Sequence, residues 1–269
     1  MGRNRLPVPP GDPASAARFR SLRGALERDD LKTDVDAVVH AAATSPWQGV
    51  RPGDIIRDNI DGTRRLLEAA AKARVGRFVF FSSLSAYGRI EEKTVDENTP
   101  SRQPDLYGLT KLVGERLVAE MLPRASALSV RLPGVVGRGA ARHWLATTLA
   151  KLRAGAPVTY FNPRQPFNNL VHESDVATLV TGFLHGKRDP GHDAVVVASS
   201  SFLAVEEVVR RLVSMTASRS EVACNGVRPG SFTITFAKVQ ERYGFAPLDT
   251  EAALTRYVRE ELGQVGITQ

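Results

Sequence analysis

The stretch spanning residues 77–116 decides the fold. It begins RFVFFSSLSAYG at residues 77–88 and ends LYGLTKLVGER at residues 106–116. Residues 78–81 form a short, continuously apolar run, which predicts a buried strand of a parallel sheet. Ser82, Ser83 and Ser85 follow this strand, at the end where open α/β sheets bind their ligands. The segment therefore predicts a strand that delivers hydroxyl groups to a binding edge.

Tyr107 and Lys111 lie four residues apart at the start of a predicted helix, so both project from one helical face. A phenol ionises at a pH of about 10, and a neighbouring ammonium favours the phenolate. We therefore expect Lys111 to lower the pKa of Tyr107 and make it a usable acid/base. On its own this pair is a weak signal, because a half-buried tyrosine and a solvated lysine often begin a helix.

Composition narrows the classes of function. The net charge of +7 suits an anionic ligand such as a dinucleotide, a nucleotide sugar or a nucleic acid. Nucleic acid is the least favoured, because the arginines are scattered and few aromatic residues interleave with them. Cys224 is the only cysteine, which excludes an intrachain disulfide and indicates a cytoplasmic protein. No apolar run approaches about 20 residues, so no membrane span is predicted, and neither is a metal site.

Other patterns outline the rest of the chain. Residues 1–15 are expected to be an irregular lead-in, and residues 25–31 a turn or short helix. Further apolar runs predict strands over residues 18–22, 35–40, 128–132 and 194–198. Helical patterns cover residues 59–73, 142–152, 173–183 and 205–215. Ala41, Ala42 and Ala43 follow the strand at 35–40, where they either admit a ligand close to the backbone or simply begin another element.

The order of these motifs resembles the NAD-dependent epimerase/dehydratase branch of the extended short-chain dehydrogenase/reductase family. The matching sequences are the Ser-Ser strand end, Tyr-Gly-x-x-Lys at 107–111, VDAVVHAAA at 35–43, NIDGTRRLLEAA at 59–70 and NLVHESDVA at 169–177. The resemblance implies an α/β fold, namely an N-terminally incomplete, Rossmann-like, doubly wound parallel sheet with a small mixed C-terminal lobe. The core is expected over residues 1–200, with 133–168 partly on the substrate side, and the substrate-side lobe over 201–269.

The resemblance also implies a function. It implies an NAD(P)-dependent epimerase, dehydratase or ketoreductase that acts on a nucleotide-sugar-like substrate by hydride transfer. The implied cofactor is NAD or NADP. The resemblance also implies a homodimer that packs through the helices carrying Asn59 and Tyr107. The implied catalytic residues are Ser83, Tyr107 and Lys111. The implied cofactor contacts are Ala41, Ala42, Ala43, Asn59, Ser82, Tyr107, Lys111 and Pro133. Ser85 and Arg228 are the implied substrate contacts. His40, His172 and Asp175 are expected to be structural.

Several positions depart from the family pattern. The Gly-x-x-Gly-x-x-Gly turn, which seats the cofactor pyrophosphate, does not occur in the sequence. Ala25 replaces an aspartate that contacts adenine, Gly134 replaces an asparagine on the substrate side, and Asn168 replaces an arginine that grips phosphates. Two explanations stay open, a shortened reading frame or a truncated family member. The alternative function is a non-catalytic binding or regulatory subunit, and the sequence does not distinguish NAD from NADP.

Overall fold

A computed structural model describes residues 35–263 except Arg142 and Pro229. The predicted lead-in, the strand at 18–22 and the element at 25–31 lie outside the described residues. Within them, the central sheet has four parallel strands, which are β1 (Ala37–His40), β2 (Arg77–Ser83), β4 (Ser126–Leu132) and β9 (Gly191–Val196). They lie side by side in that order. The predicted parallel α/β fold is confirmed.

The alternation of side chains along β2 builds a core on both faces of the sheet. Phe78 and Phe80 pack towards one face and Val79 towards the other, since successive residues of a strand point to opposite sides. Both phenylalanines are almost completely buried, which stabilises the fold by about 1.5–3 kcal/mol for each side chain. Because both faces of the strand are covered, every position of this run has to be apolar, as predicted.

Helices cover both faces of the sheet. The Phe78 face packs against α2 (Gly62–Lys72) and α3 (Leu106–Met121). The Val79 face packs against α5 (Glu173–His185) and α7 (Ala237–Tyr243). The sheet is thus the middle layer of three, and the carboxyl ends of its strands share one edge.

A separate cluster of buried residues lies beside the sheet. It combines residues from 136–170 with residues from 208–258, and its main members are Val136, Leu149, Leu170, Leu212, Leu254 and Tyr257. The elements that supply it are β5 (Gly134–Val136), α4 (Trp144–Arg153), β6 (Val158–Tyr160), β8 (Leu170–His172), α6 (Val205–Thr216) and α8 (Thr250–Glu261). The predicted division at residue 200 stays a prediction.

Short strand pairs complete the described part of the chain. The elements not yet given are α1 (Pro52–Ile56), β3 (Thr94–Val95), β7 (Pro166–Phe167), β10 (Leu203–Ala204), β11 (Val222–Cys224) and β12 (Thr233–Ile234). Pairs β5–β8, β6–β11 and β3–β12 are parallel, whereas β7–β10 is antiparallel. No helix in the described ranges is long and apolar enough to cross a bilayer.

The helix that carries Asn59 differs from the prediction. It does not begin at Asn59 but at Pro52, and it passes through a π-helical turn over Arg57–Asp61 before continuing as α2. Proline is favoured in the first turn of a helix because its missing N–H would have no partner there. Asn59 therefore lies inside the helix, in a wide turn of a kind that often marks functional sites, and the predicted helix start at residue 59 is wrong.

Candidate active site

The carboxyl end of β2 turns sharply and sends its serines in different directions. Ser83 caps the 3₁₀ turn Leu84–Tyr87, and its Oγ accepts a hydrogen bond of 3.1 Å from the Ser85 amide. The buried Ser82 lies on the α3 side, where its Oγ donates to the Glu115 carboxylate. Of these three serines, Ser83 and Ser85 are half-buried, whereas Ser82 is buried.

Two glycines let α3 dock against this turn. Asp105 caps the helix, with its Oδ1 accepting a 2.7 Å hydrogen bond from the Gly108 amide. A Cβ atom at Gly108 would lie only 2.0 Å from the Ser85 carbonyl oxygen, and one at Gly114 only 2.4 Å from the Phe80 ring. Residues without a side chain are needed at such close approaches. Tyr107, beside Gly108, is thereby held against the Ser83–Tyr87 turn.

Lys111 is buried at the same edge of the sheet. Its Nζ donates a 2.8 Å hydrogen bond to the Phe81 carbonyl oxygen and lies 5.5 Å from the centre of the Tyr107 ring. Burial lowers the pKa of Lys111 to about 8, and the nearby Glu115 carboxylate opposes that shift. The predicted one-face placement of Tyr107 and Lys111 is confirmed.

The expected pKa shift of Tyr107 is wrong in direction. Burial raises the pKa of Tyr107 above its ordinary value instead of Lys111 lowering it. The Lys111 ammonium donates its hydrogen bond to the backbone of β2, so it is not committed to the phenol. The nearby Ser45 side chain, which the sequence did not single out, opposes this rise in the pKa of Tyr107, whereas the charge of Asp105 adds to it.

Asn59 ties the loop after β1 to α3. Its Oδ1 accepts a 2.7 Å hydrogen bond from the Thr44 amide, and its Nδ2 donates to the Thr44 carbonyl at 3.0 Å and to Thr110 Oγ1 at 3.1 Å. Asp58, in the same π-helical turn, accepts a 2.6 Å hydrogen bond from the Thr44 hydroxyl. Asn59 thus fixes the backbone at Thr44, and Ser45 is the next residue in the chain. The three alanines that follow β1 are exposed.

A buried ion pair supports the site from behind. Arg131 on β4 binds the Glu115 carboxylate with Nη2 to Oε2 at 2.8 Å and Nε to Oε1 at 3.0 Å. The Arg131 guanidinium also lies 4.8 Å from the centre of the Tyr87 ring. Because Glu115 also accepts from Ser82, this group joins α3 to both β2 and β4. The side chain of Ser82 is thus committed inside the protein.

The predicted substrate side lies along β5 and β8. Pro133 links β4 to β5, and Gly134 begins β5. Asn168 is fully buried and is used structurally, since its amide bonds the Ser199 carbonyl and both backbone groups of Ile234. Arg228 is exposed, and its guanidinium stacks 3.4 Å from the centre of the Phe161 ring.

The structure therefore brings the predicted residues together in two groups. Ser83, Ser85, Tyr107, Lys111 and Asn59 meet around the start of α3 through the contacts above. Arg228 belongs to the β6–β11 side of the molecule, and no recorded interaction within the described ranges joins it to the first group.

The histidines predicted to be structural are confirmed as such. His40 is buried and shares a 2.8 Å hydrogen bond with Thr63, and burial lowers its pKa to about 4. His172 caps α5, with Nδ1 accepting a 3.1 Å hydrogen bond from the Ser174 amide. Asp175 accepts a hydrogen bond from the Leu248 amide at 3.1 Å and fixes the chain that leads to α8.

Comparison with known proteins gives consistent matches. A family model described as the NAD dependent epimerase/dehydratase family matches residues 21–198. The UDP-glucose 4-epimerase of Azospirillum brasilense is 27% identical over 97% of this chain and 82% of its own length. The dTDP-glucose 4,6-dehydratase of Streptomyces niveus is 37% identical, but over 39% of this chain and 33% of its own length. The chain thus spans a third of that dehydratase.

Solved structures agree on the architecture. MoeE5 in complex with UDP-glucose and NAD superimposes with a TM-score of 0.71 at 27% identity, covering 86% of this chain and 80% of MoeE5. The Bordetella bronchiseptica enzyme WbmG in complex with NAD and UDP gives a TM-score of 0.73 at 21% identity, covering 87% and 74%. At that identity the second likeness shows the Rossmann-like fold alone.

Proposed function

Because the chain belongs to the NAD-dependent epimerase/dehydratase family, we propose that it is an NAD(P)-dependent epimerase, dehydratase or ketoreductase that acts on a nucleotide-sugar-like substrate by hydride transfer. The names of the relatives support this, since they include a UDP-glucose 4-epimerase and a dTDP-glucose 4,6-dehydratase. The complex of MoeE5 with UDP-glucose and NAD supports the same ligand classes.

One observation carries the proposal. Tyr107 and Lys111 lie one helical turn apart on α3, and Gly108 of the same helix packs closely against the Ser83–Tyr87 turn. This packing supports a site in which a phenol, an ammonium and a serine hydroxyl act together at the carboxyl edge of the sheet. Ligands of doubly wound sheets bind at this edge. A phenol beside a serine hydroxyl can hold one substrate oxygen and exchange a proton with it.

The residues around α3 fit the nicotinamide side of a dinucleotide. A lysine ammonium has three protons, and the recorded hydrogen bond to Phe81 uses one of them, which leaves donors for ribose hydroxyls. Ala41, Ala42, Ala43 and Pro133 would line the approach, with Asn59 holding the loop. Ser82 would contribute its backbone, because its side chain is committed to Glu115. NAD or NADP would supply the hydride acceptor and, when oxidised, a positive charge that lowers the pKa of a nearby phenol.

Each proposed catalytic residue has its own task. Tyr107 stays protonated at neutral pH because burial raises its pKa, so it can donate a proton to a keto oxygen or, once that pKa falls, take one from a hydroxyl. Ser83 would hold the same oxygen. Lys111 would hold the cofactor ribose, while Ser85 and Arg228 would contact the substrate.

A non-catalytic binding subunit is not favoured. That function would leave no reason for the buried Lys111 or for the side-chain clamp that Asn59 makes around Thr44. Burying an ammonium costs stability because the charge leaves water, and a purely structural role does not require a charged group here. Partners are proposed to be small molecules, without nucleic acid or membrane.

We also propose a homodimer in the cytoplasm. Ile56 on α1 is 43% exposed, and Leu109 and Val113, one turn apart on α3, are 47% and 38% exposed. Together they place apolar side chains on the outer surface of the two predicted dimer helices. A second copy would cover this surface by packing the same two helices against their equivalents.

The test of the proposed function is turnover by the Tyr107→Phe variant. Full-length protein is assayed with NAD and NADP and with UDP-glucose, UDP-glucuronic acid and dTDP-glucose, by cofactor absorbance and product analysis. Tyr107→Phe should lose about 10²–10⁴-fold in rate because the transferred proton has no donor. Tyr243→Phe is the matched control, since its hydroxyl bonds Asp193 behind the sheet. Turnover retained by Tyr107→Phe, or absent from the wild type, would contradict the proposal.

A further inference from the structure

A cavity of about 440 Å³ lies at the amino edge of the sheet, opposite the proposed catalytic edge. It is found where β1 and β2 begin, since Ala37 and Arg77 are register partners and both line it. The Gly76 amide donates a 2.9 Å hydrogen bond to the Asp36 carbonyl oxygen and so joins the two chain segments there. Ser83 is six residues further along β2, which is about 20 Å away. The cavity is therefore separate from the site proposed above.

Three arginines line this cavity, and only one acidic side chain lines it with them. The arginines are Arg74, Arg77 and Arg188, and the acidic residue is Asp36. No ion pair of these four side chains is recorded among the described residues. By contrast, Arg242, which is also near this edge, pairs with two carboxylates. Because a guanidinium does not lose its proton in proteins, three positive charges face one negative charge.

Arg77 is held in place by the end of α5. Its Nη1 donates a hydrogen bond to the Phe183 carbonyl oxygen, and its Nη2 donates one of 2.6 Å to the Gly186 carbonyl oxygen. The last carbonyl groups of a helix favour a cation, so this contact caps the helix. Capping explains Arg77 by itself but not the other two arginines. The group has five N–H donors and two recorded hydrogen bonds, so it keeps donors for a ligand.

The guanidinium of Arg188 lies flat against the backbone of Gly76. A Cβ atom at Gly76 would be 2.9 Å from both Cζ and Nη2 of Arg188, and 3.1 Å from Nη1. Such similar distances mean that the face of the guanidinium, and not its edge, is turned towards Gly76. The N–H bonds lie in the plane of the group, so they point sideways, and no hydrogen bond from them is recorded in the described part of the chain. A residue without a side chain is needed for this approach.

Arg74 has a backbone conformation that is uncommon for residues other than glycine. It follows the C-cap of α2 with a φ of 53°, in the left-handed region where a helix usually ends on glycine or asparagine. Its side chain is exposed and makes no recorded hydrogen bond or ion pair within the described ranges. Such conformations cluster at ligand sites, which supports a role for the Arg74 side chain in binding.

The lining of the cavity indicates the chemical class of its ligand. Guanidinium groups bind phosphate oxygens through paired hydrogen bonds. The remaining side chains of the lining are apolar and are Val35, Ala37, Ala73 and Leu184. A volume of about 440 Å³ falls within the range of about 300–1,000 Å³ found for small-molecule sites. A phosphate that carries a small organic group fits both parts of this lining.

We propose that Arg74, Arg77 and Arg188 bind the phosphate of a small organic phosphate at the amino edge of the sheet. The organic part of the ligand lies against the four apolar side chains. The phosphate supplies the negative charge that the cavity lacks, and it joins the ends of α2 and α5 to the start of β2. Binding here is independent of the proposed function, because no residue of the catalytic edge takes part.

Calorimetry on the full chain with phenyl phosphate as the probe tests this site. The wild type should bind phenyl phosphate saturably and more tightly than inorganic phosphate, because only phenyl phosphate buries an apolar group. Arg74→Gln and Arg188→Gln should each weaken binding at least about tenfold through loss of a charged hydrogen bond. Both side chains are exposed, so these variants should fold. Lys111→Met changes the opposite edge and should bind phenyl phosphate as the wild type does.

Two further variants separate a defined site from a generally basic surface. Arg124 is exposed and precedes β4 at the same edge but does not line the cavity, so Arg124→Gln should leave binding unchanged. Gly76→Ala places a methyl group against the Arg188 guanidinium. It should weaken binding although every charge is kept.

Four results would overturn the site. They are no binding of phenyl phosphate by the folded wild type, affinity no better than that for inorganic phosphate, equal losses in Arg124→Gln and Arg188→Gln, and loss of binding in Lys111→Met. Duplex DNA and vesicles of phosphatidylserine and phosphatidylcholine are measured in parallel. If either binds through the same arginines while phenyl phosphate does not, the arginines belong to a surface for a macromolecule or a membrane, which also overturns the site.

Discussion

Two groups of polar side chains, one around α3 and one around β5 and β8, differ in how far their hydrogen-bonding atoms are paired within the protein. Around α3, Asn59, Ser82 and Lys111 each have hydrogen-bond partners inside the protein. Around β5 and β8, His143 and Asn169 each keep a buried atom without a partner in the described ranges. The first group is held in place by the protein itself, whereas the second keeps two polar atoms unpaired. The comparison teaches that the proposed catalytic residues around α3 are positioned before any ligand binds.

The largest expected effect is on stability, and it comes from breaking the ion pair that supports the residues around α3. Glu115→Ala removes one partner of the buried Arg131 pair, and leaving the other charge uncompensated should lower the free energy of unfolding by about 3–5 kcal/mol. Urea denaturation measures the change. Glu120→Ala removes an exposed carboxylate of the same helix and should cost less than about 1 kcal/mol. Equal effects of the two variants would show that the Glu115–Arg131 pair does not support the site.

The next largest effect comes from moving α3 away from the Ser83–Tyr87 turn. Gly108→Ala places a methyl group 2.0 Å from the Ser85 carbonyl oxygen, so the helix must shift. Overpacking of this kind costs about 1–3 kcal/mol, and a displacement of about 1 Å can lower turnover about 100-fold. Gly182→Ala on α5, where nothing lies within 4 Å, should be neutral or stabilising by up to about 1 kcal/mol. Unchanged turnover by Gly108→Ala would argue against the proposed placement of Tyr107.

A smaller effect tests the recognition side. Arg228 presents an exposed guanidinium, so Arg228→Ala should weaken UDP binding about tenfold through loss of a charged hydrogen bond, with NAD binding unchanged. Calorimetry with each ligand makes the comparison. Arg219→Ala removes another exposed arginine and should leave both affinities as they are. A fall in NAD affinity instead would place Arg228 with the first group.

The smallest effect is on pH dependence. Lys111 is an ammonium below its pKa of about 8 and an amine above it, so NAD affinity and kcat/KM should fall as pH rises through about 8. Its contribution to stability has the opposite sign: between about 8 and 10.5 the unfolded chain binds the proton more tightly, so raising the pH favours the folded state. Glu115→Gln removes the charge that raises this pKa and should move the basic limb to lower pH. Glu120→Gln is the control and should leave the pH profile unchanged. If Glu115→Gln also leaves the basic limb of the profile in place, the assignment of that limb to Lys111 is contradicted.

Local patterns were sufficient to predict the sheet and the core of the site. A continuous apolar run identifies β2 because that strand is covered on both faces, and a spacing of four residues places Tyr107 and Lys111 on one helical face. The start of the first helix at Pro52 was missed, although Arg-Pro-Gly-Asp carries the proline signal for a helix start. The π-helical turn at Asn59 has no comparable signal.

Features that depend on packing could not be predicted. The pKa of Tyr107 depends on its burial, which outweighs any effect of Lys111. Ser45, His143 and Asn169 come from loops and element ends that meet only in the folded chain. The missing asparagine at Gly134 was visible in the sequence, but the close approach of the Asn169 carbonyl oxygen to Gly134 was not.

Calorimetric titration of the full chain with NAD and with NADP tests the central claim most directly. Wild type and Lys111→Met are measured together with Lys151→Met, which removes an exposed ammonium on α4. The account predicts saturable binding of at least one dinucleotide by wild type and Lys151→Met, and at least tenfold weaker binding by Lys111→Met. Failure of the folded wild type to bind either dinucleotide, or undiminished binding by Lys111→Met, would contradict it.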